Sequence, residues 1–187
     1  EFKHLLVAHY GMRQGFQAIV ENEIAFDKKG LPAAITIKLN SLEDERMIKK
    51  LYEASAAGVK VNMIVRGICC LIPGVKQMSE NIRGISIIDR FLEHDRVYIF
   101  NNGGDEKIYL SSADWMKRNL SRRIEVAFPV YNTELKNKIK HIVNIKLNDN
   151  VKARLIDEKQ TNTYRKTESP QDHRSQYEIY DYMKHFK

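Results

Sequence analysis

The sequence has little that could hold a chain together covalently. Two cysteines occur among 187 residues, and they are neighbours, Cys69 and Cys70. Adjacent cysteines rarely bond each other, and no spacing of metal ligands is present, so a disulfide framework and a zinc module are both excluded. The pair reads as reduced and intracellular, with small apolar filling as its expected role. Long apolar runs are missing as well. No stretch approaches the ~20 residues that cross a bilayer as a helix. No leader pattern opens the chain, which begins Glu1-Phe2-Lys3-His4 without an initiator methionine. That start is expected of a piece cut from a longer protein. Internal repeats and low-complexity tracts are absent too.

What remains is an ordinary globular composition, 43% hydrophobic and 29% charged, over a length that suits one domain. Basic residues outnumber acidic ones, 31 to 24, for a net charge of +7. This balance points to an anionic partner, whether nucleic acid, a membrane surface or polyphosphate, but the charge is spread along the chain and does not choose among them. Strand and helix patterns alternate. Residues 5–8 read as a strand. Met12, Phe16, Ile19, Val20 and Ile24 then recur at helical spacing, closed by Gly30, with Arg13 expected in solvent. Residues 33–39 alternate as a strand. Ser41 with Asp44 suggests a capping-box variant opening a helix to about Ala57, with Leu42, Ile48, Leu51 and Tyr52 on or near one face. Residues 59–65 and 82–88 follow as strands. The order predicts an α/β fold, a mixed sheet flanked by helices, whose parallel strands bind ligands at their C-terminal ends. Arg66 lies at such an end, before Gly67, which allows close backbone approach.

The densest chemistry lies between Asp89 and Trp115. Val97 and Ile99 alternate with Tyr98 and Phe100, and Ile108 and Leu110 with Tyr109 and Ser111. Asn101-Asn102-Gly103-Gly104 between them predicts a tight hairpin, because Asn and Gly accept positive φ. His94 and Arg96, two apart at the mouth of the first strand, project to one face. Ser111, Ser112 and Asp114 end the second. A histidine, a fixed cation and small polar groups at neighbouring strand ends can bind and transfer a phosphoryl group. Further on, Arg118 and Arg122 are one helical turn apart, with Asn119 and Arg123 beside them, a cluster able to hold successive phosphates or simply to face solvent. Residues 124–130 read as a strand bearing Glu125, and 134–147 as a helix on which His141 is structural. Residues 151–156 read as a short strand, 161–175 as a polar loop and 176–185 as a closing helix. Residues 1–148 are expected to form the α/β domain and 149–187 an extension packed on it.

His94-x-Arg96, a hairpin and Ser111-Ser112-x-Asp114 resemble the His-x-Lys and Gly-Ser-x-Asn pattern of the phospholipase D superfamily, with Arg in place of Lys and Asp near the usual Asn. Longer stretches, residues 65–71, 81–94 and 109–116, resemble the C-terminal catalytic region of the polyphosphate kinase family, the type built on a phospholipase-D-like core. The resemblance runs from about Leu5 to the last residues. It implies a phospholipase-D-like half-core with a C-terminal extension, and reversible transfer of the terminal phosphate of ATP to polyphosphate. Mg²⁺ would accompany the nucleotide without being held by this chain alone. The family's phosphohistidine belongs to a His-x-Lys motif in the preceding half of the core, outside these residues. His94 would then be the second catalytic histidine, stabilising or protonating the leaving phosphate oxygen. The implied substrate-binding positions are Arg66, His94, Arg96, Ser111, Ser112, Asp114, Asn119, Arg122 and Arg123, with Arg66 matching the arginine that contacts nucleotide phosphates. Expected partners are ATP or ADP, inorganic polyphosphate and the rest of the parent chain, with a homo-oligomer as a further expectation. The expected location is cytoplasmic, free or at the membrane periphery. Two other readings stay open: a phosphodiesterase of the same superfamily that completes its site by dimerising, and a non-catalytic polyanion-binding module.

Overall fold

The computed structural model of the chain describes residues 2–168 and 170–185; Glu1, Ser169 of the expected polar loop, and Phe186 and Lys187 at the end of the expected extension lie outside the described residues. The described strands are β1 (Leu6–Val7), β2 (Ala34–Leu39), β3 (Lys60–Val65), β4 (Ile82–Ile87), β5 (Val97–Phe100), β6 (Lys107–Ser111), β7 (Val126–Pro129) and β8 (Ala153–Ile156). They form one sheet in the order β1-β7-β6-β5-β2-β3-β4-β8. β2, β3 and β4 are parallel, and the other pairings are antiparallel, so the sheet is mixed.

Helices α1 (Met12–Asp27) and α2 (Glu45–Ala56) cover one face and α4 (Thr133–Asn148) the other. The alternation of β2 explains the first layer: Ile35, Ile37 and Leu39 turn toward Met12, Phe16, Val20 and Leu51. Ile64, Ile85, Val97 and Ile99 turn the other way, toward Val143. All four residues of β5 are buried, the near-continuous apolar run of a strand covered on both sides. The short α3 (Lys117–Ser121) follows β6, and α5 (Ser175–Lys184) lies on α4, where the His141 and Tyr182 rings meet at 4.3 Å. The C-terminal residues join the same sheet: β8 pairs antiparallel with β4, and residues 163–165 run along β8 through Leu155 N to Thr163 O and Arg165 N to Ala153 O, both 2.8 Å.

Several local expectations change. The cap of α2 is Asp44 itself, whose carboxylate accepts from Met47 N, and not Ser41. Leu42 lies outside that helix, bridging the backbones of Cys69 and Trp115. The β5–β6 connection is longer than the four-residue turn expected at residues 101–104, because it runs from Asn101 to Glu106 and includes a 3₁₀ turn over Asn102–Gly104; Gly103 takes φ +67° in it and packs so close to the Phe26 ring that a Cβ would sit 2.9 Å away. Glu125 precedes β7 instead of lying on it. Cys70 is exposed, so filling cannot be its role, and both cysteines are free thiols. Arg13 is not solvated: its guanidinium pairs with Asp44 at 2.7 Å. No helix among the described residues is long and apolar enough to cross a membrane.

Candidate active site

Topology brings three segments to one edge of the sheet. β2 and β3 are parallel, so Asn40 and Arg66, which follow them, are neighbours. β5 runs antiparallel to β2, with Val97 opposite Lys38, so the residues before β5 reach the same edge. The loops there are stitched by backbone bonds, Gly67 N to Asn40 O at 2.8 Å, Leu42 N to Ile68 O at 2.8 Å, and Glu43 N and Asp44 N to Trp115 O at 2.8 Å. A Cβ on Gly67 would lie 3.1 Å from Asn40 O, so the close backbone approach expected of this glycine is real. Beneath them Trp115 stacks on Tyr98 with ring centres 5.0 Å apart, and the Tyr98 hydroxyl donates to Ala113 O at 2.8 Å. The buried aromatics thus fix the loop that carries Asp114.

A polar relay runs across this edge. Arg66 Nε donates to Asn40 Oδ1 at 2.8 Å. Asn40 N and Ser41 N donate to Asp114 Oδ1 at 2.7 and 3.2 Å. Arg96 Nη2 pairs with Asp114 Oδ2 at 2.9 Å, and its Nε reaches Oδ1 at 3.2 Å. The same guanidinium lies against His94, with Nη1 2.9 Å from the His94 carbonyl and 3.1 Å from Nδ1, and Nη2 3.3 Å from Nε2. A neutral imidazole has one acceptor nitrogen, so only one of the two ring contacts is a hydrogen bond at a time. Burial pushes the Asp114 carboxyl up, but the Arg96 guanidinium and the two amides outweigh it and hold its pKa below the usual aspartate range. The His94 ring is exposed.

Arg66, His94, Arg96 and Asp114 are therefore brought together. Ser111, Ser112 and Asn119 turn elsewhere. Ser111 Oγ donates to Val126 O and accepts from Ala113 N, both at 3.0 Å. Ser112 Oγ donates to Glu125 Oε2, and Asn119 Nδ2 donates to Glu125 Oε1 at 2.6 Å. These two neutral groups hold a buried carboxylate. Arg122 and Arg123 are exposed just past α3.

Sequence reasoning missed a second layer around His94. Lys38, 2% exposed, donates from Nζ to Glu93 O at 2.9 Å and Asp95 O at 2.8 Å, and pairs with Asp95 Oδ1 at 2.8 Å. Lys146 Nζ pairs with Glu93 Oε1 at 2.8 Å and Asp95 Oδ2 at 2.9 Å. Burial lowers the Lys38 pKa against the pull of Asp95. Burial raises Asp95, but Lys146 and Lys38 outweigh it, and its pKa is lowered. The available signal was a lysine inside a strand, set directly between Ile37 and Leu39. Asn40 could have been found by the rule that picked out Arg66, since it also ends a parallel strand. No group of three or more His, Cys, Asp and Glu among the described residues is placed to hold a metal. Asp114 spends both oxygens on Arg96, Asn40 and Ser41, so these residues do not form a magnesium site.

Residues 5–176 match the family model described as polyphosphate kinase C-terminal domain 2. Over 187 residues the chain is 51% identical to a polyphosphate kinase of Vibrio parahaemolyticus, covering all of this chain and 27% of that protein. A polyphosphate kinase of Escherichia coli is 50% identical over 183 residues, 98% of this chain and 27% of that one. The crystal structure of polyphosphate kinase from Porphyromonas gingivalis superposes with a TM-score of 0.95 at 45% identity, over 98% of this chain and 28% of that chain. Nuc of Salmonella typhimurium, a phospholipase D family member, shares the fold at a TM-score of 0.59 and 15% identity, over 82% of this chain and 96% of that one. The chain thus spans 27% of the length of the relatives it matches. With a phospholipase-D-like mixed sheet, and a family match reaching from β1 into α5, the chain belongs to the polyphosphate kinase C-terminal domain 2 family.

Proposed function

We propose that this chain supplies one half of a phosphoryl-transfer site, that of a polyphosphate kinase moving the terminal phosphate of ATP to polyphosphate and back. The observation that carries the reading is Arg66. It is half-buried, oriented through Nε by the neutral Asn40, and without an ion-pair partner among the described residues, on the same edge as His94 and Arg96. Such a guanidinium keeps its charge and its remaining N–H groups for an anion.

In the forward direction a nucleophilic imidazole from outside this chain forms an N–P bond to the γ-phosphorus. The bond from that phosphorus to the β–γ bridging oxygen breaks, and ADP leaves. Arg66 binds phosphate oxygens, and His94 hydrogen-bonds or protonates the oxygen on which charge grows. Arg96 fixes His94 and is itself fixed by Asp114. Ser112 and Asn119 act through Glu125, while Arg122 and Arg123 extend the cationic track for polyphosphate. Residues 1–148 serve as the half-core, and β8 of the extension, residues 149–187, closes its β4 edge. A transfer that draws on ATP suits the cytoplasm, free or at the membrane periphery.

The test joins the chain to the remaining polypeptide that its relatives carry. His94→Ala is expected to lower transfer turnover by about 10²–10⁴-fold, the usual worth of a general acid, with the fold retained. Unchanged turnover would remove His94 from the chemistry.

A further inference from the structure

The segment between β4 and β5 carries His94 and is built inside out. Its large apolar side chains, Ile88, Phe91 and Leu92, are 69%, 53% and 73% exposed. Burial of apolar area therefore does little to hold it, and polar contacts take over. One set comes from the sheet and α4, where Lys38 and Lys146 grip Glu93 and Asp95. The other set comes from the C-terminal extension. Gln176, 5% exposed, uses its amide as a neighbouring strand would use its backbone: Oε1 accepts from Phe91 N and Nε2 donates to Phe91 O, both at 2.8 Å. The second Nε2 hydrogen reaches Glu93 Oε2 at 3.1 Å. Arg174 forks onto Asp89 at 2.8 and 2.7 Å.

The start of α5 is itself anchored. Ser175 N and Oγ donate to Asp149 Oδ2 at 2.8 and 2.7 Å. The other Asp149 oxygen accepts from the amides of Val151, Lys152 and Ala153. The buried Asp149 thus ties α5 to the end of α4 and the start of β8, and from this tie Arg174 and Gln176 reach 85 residues back along the chain. Every residue they hold, Asp89, Phe91 and Glu93, lies within the five residues before His94.

We propose that Gln176 and Arg174 are positioning residues for His94: they fix the backbone that carries the imidazole, so the C-terminal extension is part of the site and not an appendage to it. The proposal gives His94 its importance from the phosphoryl-transfer reading above, but its test does not read transfer. In the uniformly ¹⁵N-labelled chain, the His94 ring signals are assigned by their loss in His94→Ala. They are then compared at one fixed pH in Gln176→Leu and Arg174→Gln, together with hydrogen exchange at the Phe91 amide. Gln176→Leu removes both bonds to Phe91, whose amide is expected to exchange about tenfold faster or more. The His94 ring signals are expected to shift in both variants, more in Gln176→Leu, while the Trp115 indole signal in the core stays in place. His94 signals that coincide with the unsubstituted chain in both variants would overturn the proposal, even if Phe91 exchanges faster, because the amide lock would then be a local surface stay. If Gln176→Leu fails to fold, Arg174→Gln decides alone, since that side chain is 37% exposed and lies outside both apolar clusters of the core. A His94 that proved dispensable for transfer would leave these shifts unchanged, so the two readings fail separately.

Discussion

Asp114 balances the charges of the site. It and Arg96 are a buried pair, with side chains 7% and 10% exposed. Removing one member of such a pair leaves the other charged and unpaired, at a cost of about 3 kcal/mol or more. Asp114→Asn is expected to show that cost as a lowered midpoint in urea. The pair also predicts a pH dependence. The folded pKa of Asp114 is depressed, so the folded state binds the proton less readily than the unfolded one. Its contribution is complete above the ordinary aspartate pKa and lost as pH falls through the depressed value. The urea midpoint therefore falls with acid in the native chain, and this part of the slope vanishes in Asp114→Asn. Asn40 gives the opposite kind of prediction. Its Nδ2 is buried without a partner among the described residues, a liability of about 1–3 kcal/mol, while its bond to Arg66 is worth about 1 kcal/mol. Asn40→Leu removes both, so stability is expected to hold or to rise, by up to about 2 kcal/mol. Nucleotide affinity, read by calorimetry, is nevertheless expected to weaken, because Arg66 loses the group that aims it.

Helix α2 shows how an element inherits two tasks from one residue. Asp44 caps it through Met47 N and pairs with Arg13 of α1. Asparagine caps about as well as aspartate, so Asp44→Asn keeps the cap and loses only the pair, whereas Asp44→Ala loses both. The alanine variant is expected to be less stable than the asparagine variant by about 1 kcal/mol, the worth of the cap, in urea unfolding. The helix itself was legible because Ile48 and Leu51, with Tyr52 beside them, recur at helical spacing, and both aliphatic residues are buried; the identity of its cap was not, since Ser41 and Asp44 are both good N-cap residues. The same limit applies to the site. Period-two and period-3.6 patterns located β2, β3, β5 and α4 to within a residue or two, and the parallel-strand rule placed Arg66. Chain pattern could not say that Asn119 turns inward to Glu125, because α3 has only five residues and no apolar period to orient it. Nor could it find Gln176 beside Phe91, a contact set by how α5 docks and not by anything local to either residue. Long-range polar pairs leave no periodic trace, and most of the layer that holds His94 is made of them.

At the scale of the molecule the deciding quantity is the net charge of +7. The exposed Arg118, Arg122 and Arg123 beyond β6, and the half-buried Arg66 at the sheet edge, offer several cations to an extended anion. A polyphosphate chain is a line of closely spaced charges with a condensed layer of counterions, and each cation that engages it releases some of them. Affinity then falls steeply as salt rises, by about tenfold or more between roughly 50 and 200 mM. A dehydrated, preformed pocket would show little of this, because buried pairs are screened far less than exposed ones. Titrating the purified chain with polyphosphate at low and high salt separates the two, and salt-insensitive binding would reject the electrostatic account. Binding is not transfer, however. The chain carries a single His-x-Arg motif, at His94 and Arg96, and the Arg96 guanidinium lies against that histidine's ring. Incubation with γ-labelled ATP and Mg²⁺ is therefore expected to leave no acid-labile label on the chain alone. Label appearing on His94 would make it a nucleophile in its own right, and would turn the half-site into one completed by a second copy of the same chain.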